Sequence, residues 1–220
     1  MSVTAITFIR ENSKRLPKKS IKDLGGLPLF AHSFRKFGNS KNIDRCIAYT
    51  NSEFVNEYTS KHIECNVEII KRDKNLDNDV TFNKIMETII DNIETKYVLY
   101  FCVTSPFVKK ETIDKIIEKV LENEKYDSAF TAKEIKNFCW FNNRPLNYSF
   151  DEEIPFTQNL TPVLVESSGF YLFEKELFKR SKRRIGESPY IETIDEIQAH
   201  DIDYEEDFIL AENFVSAGLV

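Results

Sequence analysis

The chain is 220 residues long, with 41% hydrophobic and 30% charged side chains, close to globular averages and far from disordered or fibrous compositions. A chain of that length buries roughly 70% or more of its unfolded surface, so one domain spanning 1–220 is expected. Thirty Lys and Arg against 36 Asp and Glu leave a formal net charge of −6. That balance argues against nucleic acid as a partner and means that an anionic ligand needs a local basic patch.

Cys46, Cys65, Cys102 and Cys139 lie far apart in sequence, without the close pairs of structural zinc or thioredoxin-type motifs. They read as buried thiols in a reducing compartment. The longest apolar stretch, Tyr97 to Val103, is far short of the roughly 20 residues of a membrane span. Arg10 and Glu11 arrive before a signal-peptide core can form, so a cytoplasmic protein without a membrane partner is expected.

Val3 to Ile9 is a β-branched apolar run ending abruptly in charge, the pattern of a strand buried on both faces of a parallel sheet. Residues 10–26 then carry Arg10, Lys14, Arg15, Lys18, Lys19 and Lys22 with Pro17 and a closing Gly25-Gly26, a long basic loop leaving a strand end. A helix is expected from near Pro28, a strand over Cys46 to Thr50, a helix from near Glu53 and a strand over Val67 to Ile70. Phe82, Ile85, Met86, Ile89, Ile90 and Ile93 recur at helical steps, predicting an amphipathic helix from Thr81 to about Glu94. A central strand over Tyr97 to Val103 ends at Thr104-Ser105-Pro106, and Ile113, Ile116, Ile117, Val120 and Leu121 form the next helical face before a strand over Ser128 to Ala132. Strand character returns at Ser167 to Phe173, a short helix is expected over Glu174 to Arg184, a strand over Tyr190 to Ile194 and a last helix over Tyr204 to Phe214. The alternation predicts an α/β fold with a single doubly wound, mainly parallel sheet. Asn137 to Pro162 breaks the rhythm with Trp140, three prolines and no period, and an irregular stretch that long is usually functional or an interface. Trp140, Phe141, Phe150 and Phe156 supply the apolar anchors interfaces use, so 137–162 is expected to protrude and make a homodimer contact.

Ligands of open parallel sheets bind beyond the carboxyl ends of the strands, which puts the basic loop first among candidate sites. Six cations within thirteen residues can converge on one polyanion while main-chain N–H groups add donors, and a triphosphate suits such a site. Asp201 and Asp203 project to one side if that segment is extended, and two convergent carboxylates beside substrate phosphates are what Mg²⁺ takes.

The sequence from Arg10 to Lys19, Arg-Glu-Asn-Ser-Lys-Arg-Leu-Pro-Lys-Lys, followed by Leu-Gly-Gly-Leu-Pro-Leu over 24–29, resembles the opening signature of the acylneuraminate cytidylyltransferases. Thr104-Ser105-Pro106, Gly169-Phe170-Tyr171, and Asp201-Ile202-Asp203 with Asp207-Phe208 are similar to that family's later motifs. The resemblance implies a nucleotide-diphospho-sugar transferase-like, Rossmann-like fold and a loop that wraps the triphosphate of CTP. It implies catalytic roles for Arg10, Lys14, Arg15 and Lys19 and nucleotide or substrate contacts from Asn12, Ser13, Arg72, Thr104, Ser105 and Tyr171. Asp79 follows Arg72 as in the family pattern, and Asp201 and Asp203 are the implied Mg²⁺ ligands. The implied activity is transfer of CMP from CTP to an anionic sugar acceptor of the nonulosonic or keto-deoxy acid type, with release of pyrophosphate.

Two departures stand out. Glu11-Asn12 occupies the place of two family glycines, so Glu11 is expected to turn from the triphosphate toward solvent or a cation such as Lys14. Cys102 occupies the place of the family's sugar-binding Gln, which opens the question of the acceptor. Two other readings therefore stand beside the first: a cytidylyltransferase making a CDP-linked product from a phosphomonoester, and a catalytically silent nucleotide-binding protein. His200 beside the acidic motif reads as a structural histidine more readily than as part of the site.

Overall fold

Strand β1 (Val3–Ile9) is the axis of the molecule, buried along nearly its whole length. In this computed structural model, which describes residues 2–38, 40–76, 80–151 and 153–220, β1 leads into the basic segment. There a short 3₁₀ turn (Lys19–Ile21) is followed by a hairpin of β2 (Asp23–Leu24) and β3 (Leu27–Pro28). The hairpin turns on Gly25 and Gly26, with φ of 64° and 86°, a double positive φ that glycine adopts without penalty. Pro28 thus lies in a strand, and helix α1 starts later than the sequence suggests, covering Ala31–Gly38.

The chain continues through β4 (Arg45–Thr50), α2 (Glu53–His62), β5 (Val67–Lys71), α3 (Phe82–Ile89), β6 (Tyr97–Phe101) and α4 (Lys110–Leu121). Ser52 caps α2 by accepting from Val55 N at 3.1 Å, and Thr81 caps α3. Beyond Ile89 the predicted helix tightens into a 3₁₀ turn over Ile90–Asn92. Then come β7 (Ser128–Ile135), a small hairpin of β8 (Trp140–Phe141) and β9 (Arg144–Pro145), β10 (Val163–Glu174), α5 (Lys175–Ser181), β11 (Pro189–Thr193) and α6 (Glu205–Ser216).

The described strands form a seven-stranded sheet in the order β11-β7-β10-β6-β1-β4-β5. Strands β6, β1, β4 and β5 run parallel, as do β7 and β11. Strand β10 alone runs antiparallel to both of its neighbours, and at twelve residues it is longer than the sequence pattern indicates. Three of its first four residues are exposed, and the short apolar run Val163-Leu164-Val165 is separated from the buried stretch by Glu166-Ser167-Ser168-Gly169, so it does not read as part of the same strand.

Alternate residues of β1 feed two cores. Val3, Ala5 and Ile9 pack with Phe30, Phe34 and Phe37 near α1 and with Ile113, Ile116 and Ile117 of α4. Ile6 packs on the opposite face with Ile85, Met86 and Ile89 of α3 and Leu177 and Phe178 of α5. A third, smaller cluster joins Leu16, Leu24 and Leu29 of the basic segment to Phe107, Ile202, Phe208 and Ala211. Among the described residues no helix is long and apolar enough to cross a membrane.

Candidate active site

After β5 the chain crosses back over β1 to enter β6, so the order of strands reverses between β1 and β6. The loops leaving two adjacent parallel strands diverge at such a switch point and open a crevice. Here that crevice is a cavity of about 580 Å³. The segment after β1 contributes Arg10, Ser13, Lys14, Arg15 and Lys19, and the segment after β6 contributes Cys102 and Thr104. Asp201 and Asp203 close it from the C-terminal part of the chain.

The third apolar cluster sets this geometry. Leu16 is buried between Arg15 and Lys19, and Ile202 between the two aspartates. Both belong to one cluster, so burying the leucine and the isoleucine brings the cations to the carboxylates. Lys19 Nζ donates to Ile202 O at 2.6 Å and to Asp203 Oδ1 at 2.9 Å. Arg15 approaches the other Asp203 oxygen at 2.5 Å. The backbone N–H groups of Asp203 and Tyr204 both donate to Asp207 Oδ2, at 2.9 and 2.8 Å. Asp207 therefore shapes the turn that presents Asp203, and these bonds hold its own carboxyl below the usual range against the effect of burial.

Asp201 differs from Asp203. Burial pushes its carboxyl above the usual range, and the charge of Asp203 adds to that. Ser105 Oγ donates to it at 3.4 Å. Ser105 is itself fully buried under Gly169, where a Cβ would stand 2.6 Å from the Ser105 Cβ. Gly169 is needed for that approach. Ile202 N bonds to Thr104 O at 2.8 Å, pinning the acidic motif to the Thr104-Ser105 turn.

Not every expected residue faces this cavity. Asn12 turns with Glu11 into a neighbouring polar cavity of about 680 Å³ shared with Thr50, Asn51 and Ser52. There the Glu11 carboxylate accepts from Ser52 Oγ. The side chain is turned from the cationic cavity, as expected, and is held by the α2 cap hydroxyl. Lys22 leaves the group as well, pairing with Glu205 at 2.7 Å. Arg72 is almost fully buried at the end of β5, with its N–H bonded to Thr50 O. Asp79 lies outside the described residues. Tyr171 is buried within β10, its hydroxyl donating to Glu166 at 2.8 Å and accepting from Arg184 at 3.0 Å. His200 stacks on Phe107 and bonds the Asp207 carbonyl region at 2.8 Å, the structural role its sequence position suggests.

Phe8, Tyr100 and Ser168 line the cavity without having been marked by any motif. Phe8 and Tyr100 rings lie 4.9 Å apart and give the cavity an aromatic wall. Cys102 Sγ donates to Tyr100 Oη at 3.4 Å, and burial pushes its thiol up to about 11, so it is a neutral group. Ser168 has φ of 62° in the stretch where β10 slips register against β7, between Glu166 and Tyr171. A bulge there re-aims the chain toward the cavity. The Ser-Ser-Gly tripeptide at 167–169 was the available signal, since small residues before an aromatic strand suit a bulge.

A doubly wound sheet with cations and carboxylates converging at its switch point defines an enzyme that handles nucleotide phosphates. Comparison with known proteins sharpens the class. Residues 4–215 match the Cytidylyltransferase family, and the chain belongs to that family and is a nucleotidyltransferase. It is 28% identical over 173 residues to a pseudaminic acid cytidylyltransferase of Campylobacter jejuni, covering 74% of each chain. It is 25% identical to an N-acylneuraminate cytidylyltransferase A of Danio rerio, over 97% of this chain but only 50% of the fish protein. The acylneuraminate cytidylyltransferase-like character expected from the motifs is thus shown. In fold, the chain is similar to a CMP:2-keto-3-deoxy-manno-octonic acid synthetase solved with CTP, with a TM-score of 0.72 at 11% identity over 99% of this chain and 100% of the other. It is also similar to the 4-diphosphocytidyl-2C-methyl-D-erythritol synthase of Anaerococcus prevotii, with a TM-score of 0.67 at 14% identity over 97% and 98% of the chains.

Proposed function

We propose that this enzyme transfers CMP from CTP to the anomeric hydroxyl of a nonulosonic acid. The observation that carries the reading is the convergence of Arg10, Lys14, Arg15 and Lys19 with Asp201 and Asp203 in one cavity, in a chain related to pseudaminic acid and N-acylneuraminate cytidylyltransferases. The acceptor oxygen bonds to the α-phosphorus as the bond from that phosphorus to the bridging oxygen breaks. Pyrophosphate leaves with that electron pair, and the hydroxyl proton passes to water or to a pyrophosphate oxygen.

The protein's part is positioning and charge neutralisation. Lys19 is fixed by two bonds before substrate arrives, so its charge is preorganised. Arg15, Arg10 and Lys14 hold the β- and γ-phosphates, and Ser13 and Thr104 add hydroxyl donors at the cavity wall. Asn12 and Arg72, outside the cationic cavity, belong with the nucleoside. Tyr171 acts from beneath, through its bonds to Glu166 and Arg184.

The donor set fits Mg²⁺. Asp201 and Asp203 flank one cavity, and a hard cation commonly takes one or two carboxylates and completes its shell with phosphate oxygens and water. The hydroxyls of Thr104 and Ser105 and the charge of Lys19 offset the burial of Asp201 in part, and its carboxyl still stays above the usual range. When bound, the ion would neutralise charge developing on the phosphates.

The segment 137–162 is proposed as a homodimer contact. Phe141, Phe150 and Phe156 are 65%, 66% and 74% exposed, large apolar surface of the kind that marks interaction sites. A cytoplasmic location accords with CTP as substrate and with four free cysteines. The test of the activity is pyrophosphate release across the four nucleoside triphosphates, with a panel of keto-sugar acids and sugar phosphates. CTP-dependent release with a nonulosonic acid is the expected result. Release only with a phosphomonoester, or with none of the panel, would overturn the reading.

A further inference from the structure

A second cavity of about 580 Å³ lies beside the first, divided from it by the turn after β6. Thr104 lines the phosphate cavity and Pro106 lines this one, with Ser105 buried between them. Its apolar wall is Leu27, Phe107, Val108, Ile197 and Val215. Its polar side chains are almost all basic: His32, Arg35 and Lys36 from α1, and Lys109 and Lys110 from the start of α4.

In a chain of net charge −6 this concentration of cations is local and needs an explanation. The carboxylate in the wall, Asp195, is engaged: its oxygens accept from the Gln198 N–H at 2.9 Å and side-chain amide at 2.8 Å. Lys110 pairs with Asp114 at 2.5 Å. Lys36 has no carboxylate within ion-pair distance among the described residues. Its ammonium donates to Pro106 O and lies 5.5 Å from the Phe101 ring centroid. A half-buried ammonium facing a carbonyl and a ring is incompletely compensated, and an incoming anion would supply the missing charge. The apolar wall would take the rest of the ligand, as small-molecule sites combine a few convergent polar groups with a largely apolar lining.

We propose that this cavity is a second binding site, for a small amphipathic anion with an apolar chain ending in a carboxylate or phosphate, and that its occupancy alters catalysis. The route is short. Drawing Lys36 toward a ligand head group bears on Pro106 O, and the next residue back, Ser105, donates to Asp201.

Burial holds the Lys36 ammonium down, at about 7, so near pH 7.5 an anion at the site should be bound with uptake of a proton. The other charged or titratable side chains facing the cavity are His32, Arg35, Lys109, Lys110 and Asp195, and Val220, which carries the terminal carboxylate, also stands in its wall. His32 is also held down by burial, so it takes up protons at lower pH than Lys36 does.

Calorimetric titration of the full chain with octanoate, octyl phosphate, inorganic phosphate and octanol tests the proposal. Either amphipathic anion should bind at least tenfold more tightly than phosphate or octanol. The heat at pH 7.5 should depend on the buffer's ionisation enthalpy. Lys36→Met should weaken that binding at least tenfold and abolish the buffer dependence while CTP affinity stays within twofold. Lys109→Ser, at the cavity mouth, should weaken it severalfold and serves if Lys36→Met misfolds. A saturating probe should change kcat or the KM for CTP at least twofold in the parent protein and not in Lys36→Met. Tighter binding of octyl phosphate than octanoate assigns a phosphate head group, and the reverse a carboxylate. Absence of binding below 10 mM, equal binding by octanol, equal binding to both variants and the parent, displacement of the probe by CTP at one shared site, or binding without any change in turnover would each overturn the proposal.

Discussion

The basic segment 10–29 and the aromatic segment 137–162 both lack periodicity, yet they finish in opposite states. In the first, Leu16, Leu24 and Leu29 are buried against Ile202, Phe208 and Ala211 of the C-terminal region. In the second, the rings pack mostly among themselves, Trp140 with Phe150 at 5.7 Å and Phe138 with Tyr148 at 5.1 Å, and keep wide exposed faces. Periodicity reports a regular element facing one core. An irregular segment instead buries its apolar residues wherever a partner lies, and the loop finds that partner in its own chain, while the excursion buries Leu160 and leaves Trp140, Phe141, Phe150 and Phe156 exposed. One segment is therefore held from within, and the other keeps the exposed apolar surface on which the proposed contact with a second copy rests.

The largest expected effect breaks the first half of that comparison. Lys19→Ala removes a buried cation whose ammonium links the loop to Ile202 and Asp203. Loss of one preorganised stabiliser typically lowers turnover by about 10²–10³, so kcat/KM for CTP should fall by about that factor. Near-parent activity with folding intact would return the loop to a solvated surface. Asp203→Asn should come next, with turnover down at least about tenfold to a hundredfold, by comparison with the loss of groups one shell further from a metal. The Mg²⁺ concentration giving half-maximal rate should rise, and parent-like Mg²⁺ dependence would remove this residue from the metal assignment.

The excursion should answer in a different measurement. Phe156→Ala or Trp140→Ala should weaken self-association, because truncating an aromatic anchor at an interface centre costs about 2 kcal/mol or more, roughly thirtyfold in the dimer constant. Melting temperature measured at a concentration where the parent is monomeric should barely move, since both rings are more than half exposed. A sedimentation run showing the parent to be monomeric at high concentration would end the assignment.

The same contrast explains what the sequence made legible. The apolar faces of α3 and α4 are readable because each repeats a pattern against one core, and β1 because it is a continuous apolar run between two. The switch-point site followed from the basic run and the paired aspartates, because charge needs no period to be noticed. The hairpin at Asp23–Pro28 was hidden because Pro28 resembled a helix start, although it sits in a two-residue strand. The antiparallel direction of β10 was not legible, since a buried strand reads alike in either direction. Tyr171 shares the Gly-aromatic motif yet stays out of the cavity lining: it lies opposite Tyr100 in the sheet, and its ring is buried in the apolar cluster beneath Phe8 and Tyr100.

The smallest effect concerns the residue that sits on the border between the loop's two cavities. A carboxylate at Glu11 facing the phosphates would oppose nucleotide by roughly 4 kcal/mol per unit charge at 4 Å and an effective dielectric of about 20. The structure turns it instead toward Ser52, whose hydroxyl also caps α2. Glu11→Gly should therefore change the CTP dissociation constant by no more than about threefold, since it removes no group from the cationic cavity. Stability should fall by about 1 kcal/mol from the lost hydrogen bond, with a further ~0.5–1 kcal/mol if glycine frees the unfolded chain at this position. Nucleotide titration and a thermal melt read the two quantities separately. A gain in CTP affinity of two orders of magnitude would show that the carboxylate confronts the phosphates after all. The loop would then be a suppressed site, and its rigid burial around Leu16 would serve exclusion of nucleotide instead of its capture.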